Sequence, residues 1–244
     1  MPADELSAGT GSTMPATAVL DRLRAGQVEV LGRIPWGSNA TLLATVDDDL
    51  RAVYKPRRGE RPLWDFPPGL DKREVAAYEL SEALGWGIVP ETVLRDDLPF
   101  GVGSLQRFVP FDTEAHYFTL YEDPAHHSAL QTIACFDLLC NQTDRKSGHC
   151  LLGEDGRIWA VDNGLAFHTE DKLRTVIWEF GGEAVPDALR DDVCRLLEQG
   201  LPESLERLLD PSERHALLAR AQAVVDVATF PIDGTGRRYP WPLV

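Results

Sequence analysis

The chain has 244 residues and a net charge of −15, from 24 Lys and Arg against 39 Asp and Glu. That balance excludes nucleic acid and anionic membrane surfaces as partners unless a local basic patch outweighs the bulk field. Hydrophobic content of 43% and charged content of 26% are those of an ordinary soluble globular protein, of a size for one domain or two small lobes around a cleft.

In chain order, residues 1–16 are rich in Ala, Ser, Thr, Gly and Pro and read as a mobile tail. Residues 17–25 are expected to form a short helix. Three strands follow at Val28–Ile34, Thr41–Val46 and Leu50–Lys55, the last two joined by a turn at Asp47-Asp48-Asp49. The Pro-, Gly- and Arg-rich stretch Arg57–Leu70 is a loop. Asp71–Leu84 has helical apolar spacing at Val75, Tyr78, Leu80 and Leu84, with Asp71 as the expected N-cap and Gly85 beyond its end. Thr92–Leu94 and Leu105–Val109 read as two more strands.

The second half is helical. Ser128–Leu139 is an apolar helix, and two short strands follow at Cys150–Leu152 and Ile158–Val161, separated by a turn at Glu154-Asp155-Gly156. The chain is then irregular to about Val185. Helical patterns cover Asp187–Gln199, Glu203–Leu209 and Pro211–Ala228, and Tyr239 and Trp241 are expected to anchor the Gly- and Pro-rich end. The expected organisation is therefore a tail (1–16), a sheet-based N-lobe (17–110) and a helical C-lobe (111–244). No apolar run nears the ~20 residues that span a bilayer. The acidic start, Met1-Pro2-Ala3-Asp4-Glu5, carries no apolar signal stretch. Cys135, Cys140, Cys150 and Cys194 lie in or beside apolar runs without C-x-x-C spacing, which argues for reduced core thiols in a cytoplasmic protein and against zinc.

Two acidic residues in polar loops border apolar runs: Asp144, in Asn141-Gln142-Thr143-Asp144-Arg145-Lys146, and Asp162, in Val161-Asp162-Asn163-Gly164. A phosphotransferase needs one carboxylate to orient the attacking hydroxyl and another to hold a metal. In protein kinases the catalytic Asp is followed by Lys at +2 and a metal-binding Asn at +5. Here Lys146 stands at +2 and His149 at +5. His149 is read either as a metal ligand, suiting Mn²⁺ better than Mg²⁺, or as a hydrogen-bonded structural histidine. Arg145 is expected to order the loop by pairing. Asp162 is read as a metal ligand or as part of a hairpin turn, and the apolar Leu165-Ala166-Phe167 argues against the hairpin.

Lys55 ends a strand, and Glu74 lies near the start of the next helix. This arrangement holds ATP phosphates in kinases, although a surface Lys and a helix-start Glu look the same in isolation. Gly37, Ser38 and Asn39 sit between the first two strands, where their amides either cradle phosphate or form a plain hairpin. Arg57, Arg58, Arg61, Trp64 and Phe66 form a basic, aromatic loop beside Lys55 that either meets substrate or covers the lobe. His126, His127 and His168 are expected at the surface or in loops.

Taken together, Arg73-Glu74-Val75-Ala76-Ala77-Tyr78, Gly87-Ile88-Val89-Pro90-Glu91-Thr92, Asn141 to Arg145 and Val161 to Phe167 resemble the phosphatidylinositol 3-/4-kinase-like branch of the protein-kinase-like superfamily. The likeness is strongest to type II phosphatidylinositol 4-kinases and runs in order over about residues 28–170. The overall pattern is similar to that of an actinobacterial kinase-like group. The resemblance implies an α+β, two-lobed protein-kinase-like fold with a small antiparallel-sheet N-lobe and a mostly helical C-lobe. It implies ATP and Mg²⁺ or Mn²⁺ as cofactors. Lys55 would be the ATP lysine with Glu74 its partner, Asp144 the catalytic aspartate and Asp162 the metal aspartate. Gln106 to Val109, Phe108 included, would be the hinge that reads adenine. His149 departs from the family's Asn, and the palmitoylated Cys-rich insertion of the eukaryotic lipid enzymes is missing. The expected activity is γ-phosphoryl transfer to a hydroxyl of a protein or a soluble small molecule. The rivals are a nucleotide-binding pseudokinase that serves as a partner-binding module, and an AMP-transferring enzyme on the same fold.

Overall fold

The computed structural model describes residues 14–35 and 40–243. Gly37, Ser38, Asn39 and most of the expected tail lie outside the described residues. Helix α1 (Ala16–Ala25) precedes strands β1 (Val28–Arg33), β2 (Leu42–Val46) and β3 (Leu50–Pro56). Helix α2 (Leu70–Leu84) separates these from β4 (Thr92–Arg95) and β5 (Gly103–Arg107). The five strands form one antiparallel sheet in the order β1-β2-β3-β5-β4. The β2–β3 turn places Asp47 and Asp48 at φ 50° and 71°, a left-handed geometry that Asp tolerates better than most residues. Arg22 of α1 gathers the carboxylates of Asp47 and Asp49, which offsets their crowding.

Side chains alternate faces along a strand. Ala44, Val46, Ala52, Tyr54 and Leu105 therefore point to one side and close a small core with Val19 and Leu23 of α1. Burying each large member of that core stabilises by about 1.5–3 kcal/mol. Lys55, next to Tyr54, faces the other way, toward α2.

Helix α2 begins at Leu70 with Gly69 as its N-cap, not at the expected Asp71. The Asp71 carboxylate is drawn off by the Arg57 fork at 2.9 and 3.1 Å, and Glu60 caps the helix instead by accepting from the Gly69 and Asp71 amides. Gly85 ends α2 with φ 76°, the left-handed stop that glycine supplies.

The C-terminal part is helical: α3 (Tyr117–Tyr121), α4 (His127–Cys140), α5 (Asp187–Gln199), α6 (Glu203–Glu206) and α7 (Pro211–Val227), with a hairpin of β6 (Cys150–Leu152) and β7 (Ile158–Ala160). Its core includes Ala76, Ala77, Leu80 and Leu84 of α2. Helix α3 carried no clear signal in the sequence. His127 is not a loop residue: it opens α4, and its ring stacks on Tyr121 at 4.7 Å. Cys135, Cys140 and Cys150 are buried and free, whereas Cys194 is only half-buried. No helix among the described residues is long and apolar enough to cross a membrane.

The end of the chain is held by Leu243 packed against the core, by the Arg238–Asp171 ion pair and by backbone bonds, rather than by the expected Trp241. Trp241 is 87% exposed. The Thr175 amide donates to the Arg238 carbonyl at 3.1 Å, and the Ser147 amide donates to the Leu243 carbonyl at 2.8 Å.

Candidate active site

The Lys55 ammonium donates to Glu74 Oε1 and, at 2.8 Å, to Asp162 Oδ1. The second oxygen of Glu74 accepts the Asn163 amide at 3.0 Å. One ammonium thus serves two carboxylates, leaving an excess of negative charge. Burial opposes the charged form of Lys55, but Asp162 and Glu74 outweigh it and hold its pKa above that of an ordinary lysine. Burial pushes buried Glu74 upward against the pull of Lys55. Burial also acts on half-exposed Asp162, yet Lys55 and His149 hold it well below the usual carboxylate range.

Asp144 faces the same cleft, which Thr41, Lys55, Glu74, Asp162 and Gly164 also line. Lys146 donates to Asp144 Oδ2 at 2.9 Å. Burial raises the Asp144 pKa in spite of Lys146, which makes it a more effective proton acceptor near neutral pH.

Helix α4 stops at Asn141, whose φ of 54° turns the chain into the Asp144 loop. The Asn141 carboxamide donates to the His168 and Glu170 carbonyls at 2.9 and 2.6 Å. Gln142, fully buried, accepts the amides of Thr143 and Asp144 and donates to Asn163 Oδ1 at 3.3 Å. It therefore holds both acidic loops at once, a role its sequence context does not advertise. Arg145 is fully buried and paired with Asp137 at 2.8 Å, and also donates to the Val161 carbonyl and Asn163 Oδ1. Asp137 had a legible signal: a carboxylate inside Cys135-Phe136-Asp137-Leu138-Leu139-Cys140 needs a buried partner.

His149 brings its ring to Asp162, with Nε2 3.3 Å from Oδ2. Its Nδ1 accepts the Lys146 amide at 3.3 Å, so the proton of the neutral ring sits on Nε2 and faces the carboxylate. Burial, with Arg145, Lys146 and Lys55 nearby, pushes its pKa down to about 4 against the pull of Asp162. In this geometry His149 offers Asp162 a donor rather than a metal a lone pair.

Gln106 and Phe108 stand apart from these residues. The Gln106 side chain donates to Thr92 Oγ1 at 2.8 Å, inside the sheet. The amides of Arg107 and Phe108 donate to the Glu91 and Arg51 carbonyls. In the basic loop, Arg57 pairs with Asp71, Arg58 lies over the Phe100 ring, and Phe66 meets His168, while Trp64 is 97% exposed.

The donor set fits one hard cation in a limited way. Among the described residues no three His, Cys, Asp or Glu side chains converge on one point. Half-exposed Asp162 and the excess negative charge around Lys55 are what a cation shared with phosphate oxygens requires.

No family model matches the sequence. Similar solved structures include the Golgi casein kinase with Mn/ADP bound (TM-score 0.57, 14% identity, 94% of this chain and 80% of that one). The hydra Fam20 structure with sugar is similar at TM-score 0.55 and 13% identity, over 91% and 90% of the two chains. The Helicobacter pylori proinflammatory kinase CtkA is similar at TM-score 0.50 and 12% identity, over 84% and 95%. At such identities the likeness establishes the fold, which is α+β and protein-kinase-like. Protein Rv2133c of Mycobacterium tuberculosis strain H37Rv is 38% identical over 259 aligned positions, covering 89% of this chain and 92% of that protein. The chain belongs to the same family as Protein Rv2133c.

Proposed function

We propose that this protein is an ATP-dependent phosphotransferase that moves the γ-phosphoryl group to a hydroxyl of a protein or soluble small molecule. The observation that carries the reading is Lys55 held between Glu74 and Asp162 in the cleft that Asp144 also faces. Residues 17–110 and 111–244 then act as two lobes around that cleft, in a cytoplasmic protein. Lys55 binds the α/β-phosphates. Asp144 orients the acceptor hydroxyl and takes its proton as the oxygen attacks the γ-phosphorus and the bond to the β–γ bridging oxygen breaks. Lys146 offsets charge on the γ-phosphoryl, and His149 steers the carboxylate of Asp162. Asp162 would hold Mg²⁺ or Mn²⁺, which supplies charge neutralisation between phosphate oxygens. The finer kinship with phosphatidylinositol 3-/4-kinase-like enzymes is supported by the sequence blocks at Arg73–Tyr78, Gly87–Thr92, Asn141–Arg145 and Val161–Phe167.

The test is incubation of the purified protein with γ-labelled or α-labelled ATP, with each metal. Release of ADP with transfer of the γ-label is expected. Transfer of the α-label would make it an AMP transferase, and no turnover with either metal would make it a nucleotide-binding module.

A further inference from the structure

Arg73 and Glu74 are consecutive residues of α2, and each holds a buried ion pair on a different side of the helix. At 3.6 residues per turn they leave the axis in divergent directions. Glu74 turns to Lys55 and the cleft, while Arg73 turns away to Glu213 on α7. The side chains of Arg73 and Glu213 are 7% and 9% exposed. Glu213 spends its other oxygen on the Asp210 amide at 2.9 Å, so the residue that caps α7 also grips α2. The Arg73 guanidinium lies 5.1 Å from the centre of the Phe66 ring.

We infer that Arg73 and Glu213 are positioning residues: they fix α2 so that the Lys55–Glu74 pair stands assembled without any movement of the helix. The inference rests on the phosphotransferase reading above. In protein kinases the placement of the corresponding helix against the lysine is a point of control. Here α2 is tied at its N-terminal end by Arg57 and Glu60, in its first turn by Glu213 through Arg73, and near its middle by Ser204, which donates to Glu79 at 2.6 Å. Swinging it outward would strand a buried charge on α7.

The experiment is a double-mutant cycle read by affinity for a non-hydrolysable ATP analogue, well below each variant's melting temperature. Arg73→Met should weaken binding roughly fivefold, within the range of couplings between neighbouring residues, and should add nothing on top of Glu74→Gln. Arg73→Lys, which keeps the ion pair, should restore most of the affinity. If the Arg73 and Glu74 losses multiply, or if Arg73→Met lowers the melting temperature while leaving affinity unchanged, Arg73 is merely structural and the inference falls. If wild type and Glu74→Gln bind the analogue equally, the cleft reading fails and takes this inference with it. Hydrogen exchange on the wild type gives an independent measure. Protection of Val75–Leu84 amides should not change when the analogue binds, and a large gain would mean that nucleotide, not Glu213, settles the helix.

Discussion

Lys55 Nζ lies 2.8 Å from Asp162 Oδ1, which joins the middle of the sheet to the loop after β7 across 107 positions of sequence. That contact, with Glu74 behind it, makes Lys55 the electrostatic centre of the cleft. Replacing it with Ala removes charge-assisted contacts of ~1.5–3 kcal/mol, so nucleotide affinity should fall about 10- to 150-fold. Thermal shift with ATP analogue reads this directly. An undiminished shift in Lys55→Ala would remove Lys55 from the site.

Asp144 and Asp162 should separate by what their loss does. Asp144→Asn is expected to spare nucleotide binding and cut turnover by about 10²- to 10⁴-fold, the usual worth of a positioned base. Asp162→Asn should instead weaken the metal-dependent part of nucleotide binding. Analogue titrations with and without metal, beside a turnover assay, distinguish them. Full activity in Asp144→Asn would refute the mechanism.

His149 gives a pH dependence of known sign. Its folded pKa of about 4 lies below the ordinary 6.5, so between those values the unfolded chain binds the proton and the folded one does not. Stability therefore falls as pH drops through that window, and is unaffected by His149 above it. The loss at pH 4.5 should be about 2–3 kcal/mol more for wild type than for His149→Asn. Buried carboxylates with raised pKa act in the opposite sense but are common to both proteins. Urea unfolding at pH 7 and 4.5 measures the difference, and equal slopes would show that burial does not hold the ring neutral. Competition between protons and metal, which an ordinary histidine would show near pH 6–7, should also be missing there. The Mg²⁺-to-Mn²⁺ preference should be the same in both proteins, and a shift toward Mg²⁺ in the variant would make His149 a ligand.

Arg145→Met leaves Asp137 as an unpaired carboxylate at 0% exposure. The cost should be about 3–5 kcal/mol, as for other buried pairs broken from one side. Chemical denaturation checks it. A loss under 1 kcal/mol would mean that Asp137 takes up a proton on folding and tolerates its isolation.

Much of the fold was legible because its signals are local. Period-two alternation exposes β3 and places Lys55 opposite Tyr54, and apolar spacing exposes α4, α5 and α7. The cleft was legible at Asp144, Asp162, Lys55 and Glu74, since each lies near the end or start of an element with strong pattern. What escaped is what long-range pairing decides. Asp71 looks like a cap until Arg57 arrives from 14 residues away. Gln142 looks like loop filler until Asn163 folds against it. Arg73 looks like a helix-surface charge until α7 supplies Glu213. The Trp241 side chain promised an anchor, but the tail is held by Leu243, the Arg238–Asp171 pair and backbone bonds, whose partners lie far off in sequence.

The Ser147 amide and the Leu243 carbonyl also bear on how the protein is handled. Residues near the end of the chain hydrogen-bond the segment that carries Lys146 and His149, and Arg238 does the same for Thr175, whose hydroxyl supports Asp137. Loss of Leu243 would remove the carbonyl that accepts the Ser147 amide, next to the proposed phosphoryl-facing Lys146. A chain truncated near residue 237 would give up both of these backbone bonds together with the Arg238–Asp171 ion pair. Turnover measured on such a shortened chain would report the missing tail as much as the chemistry.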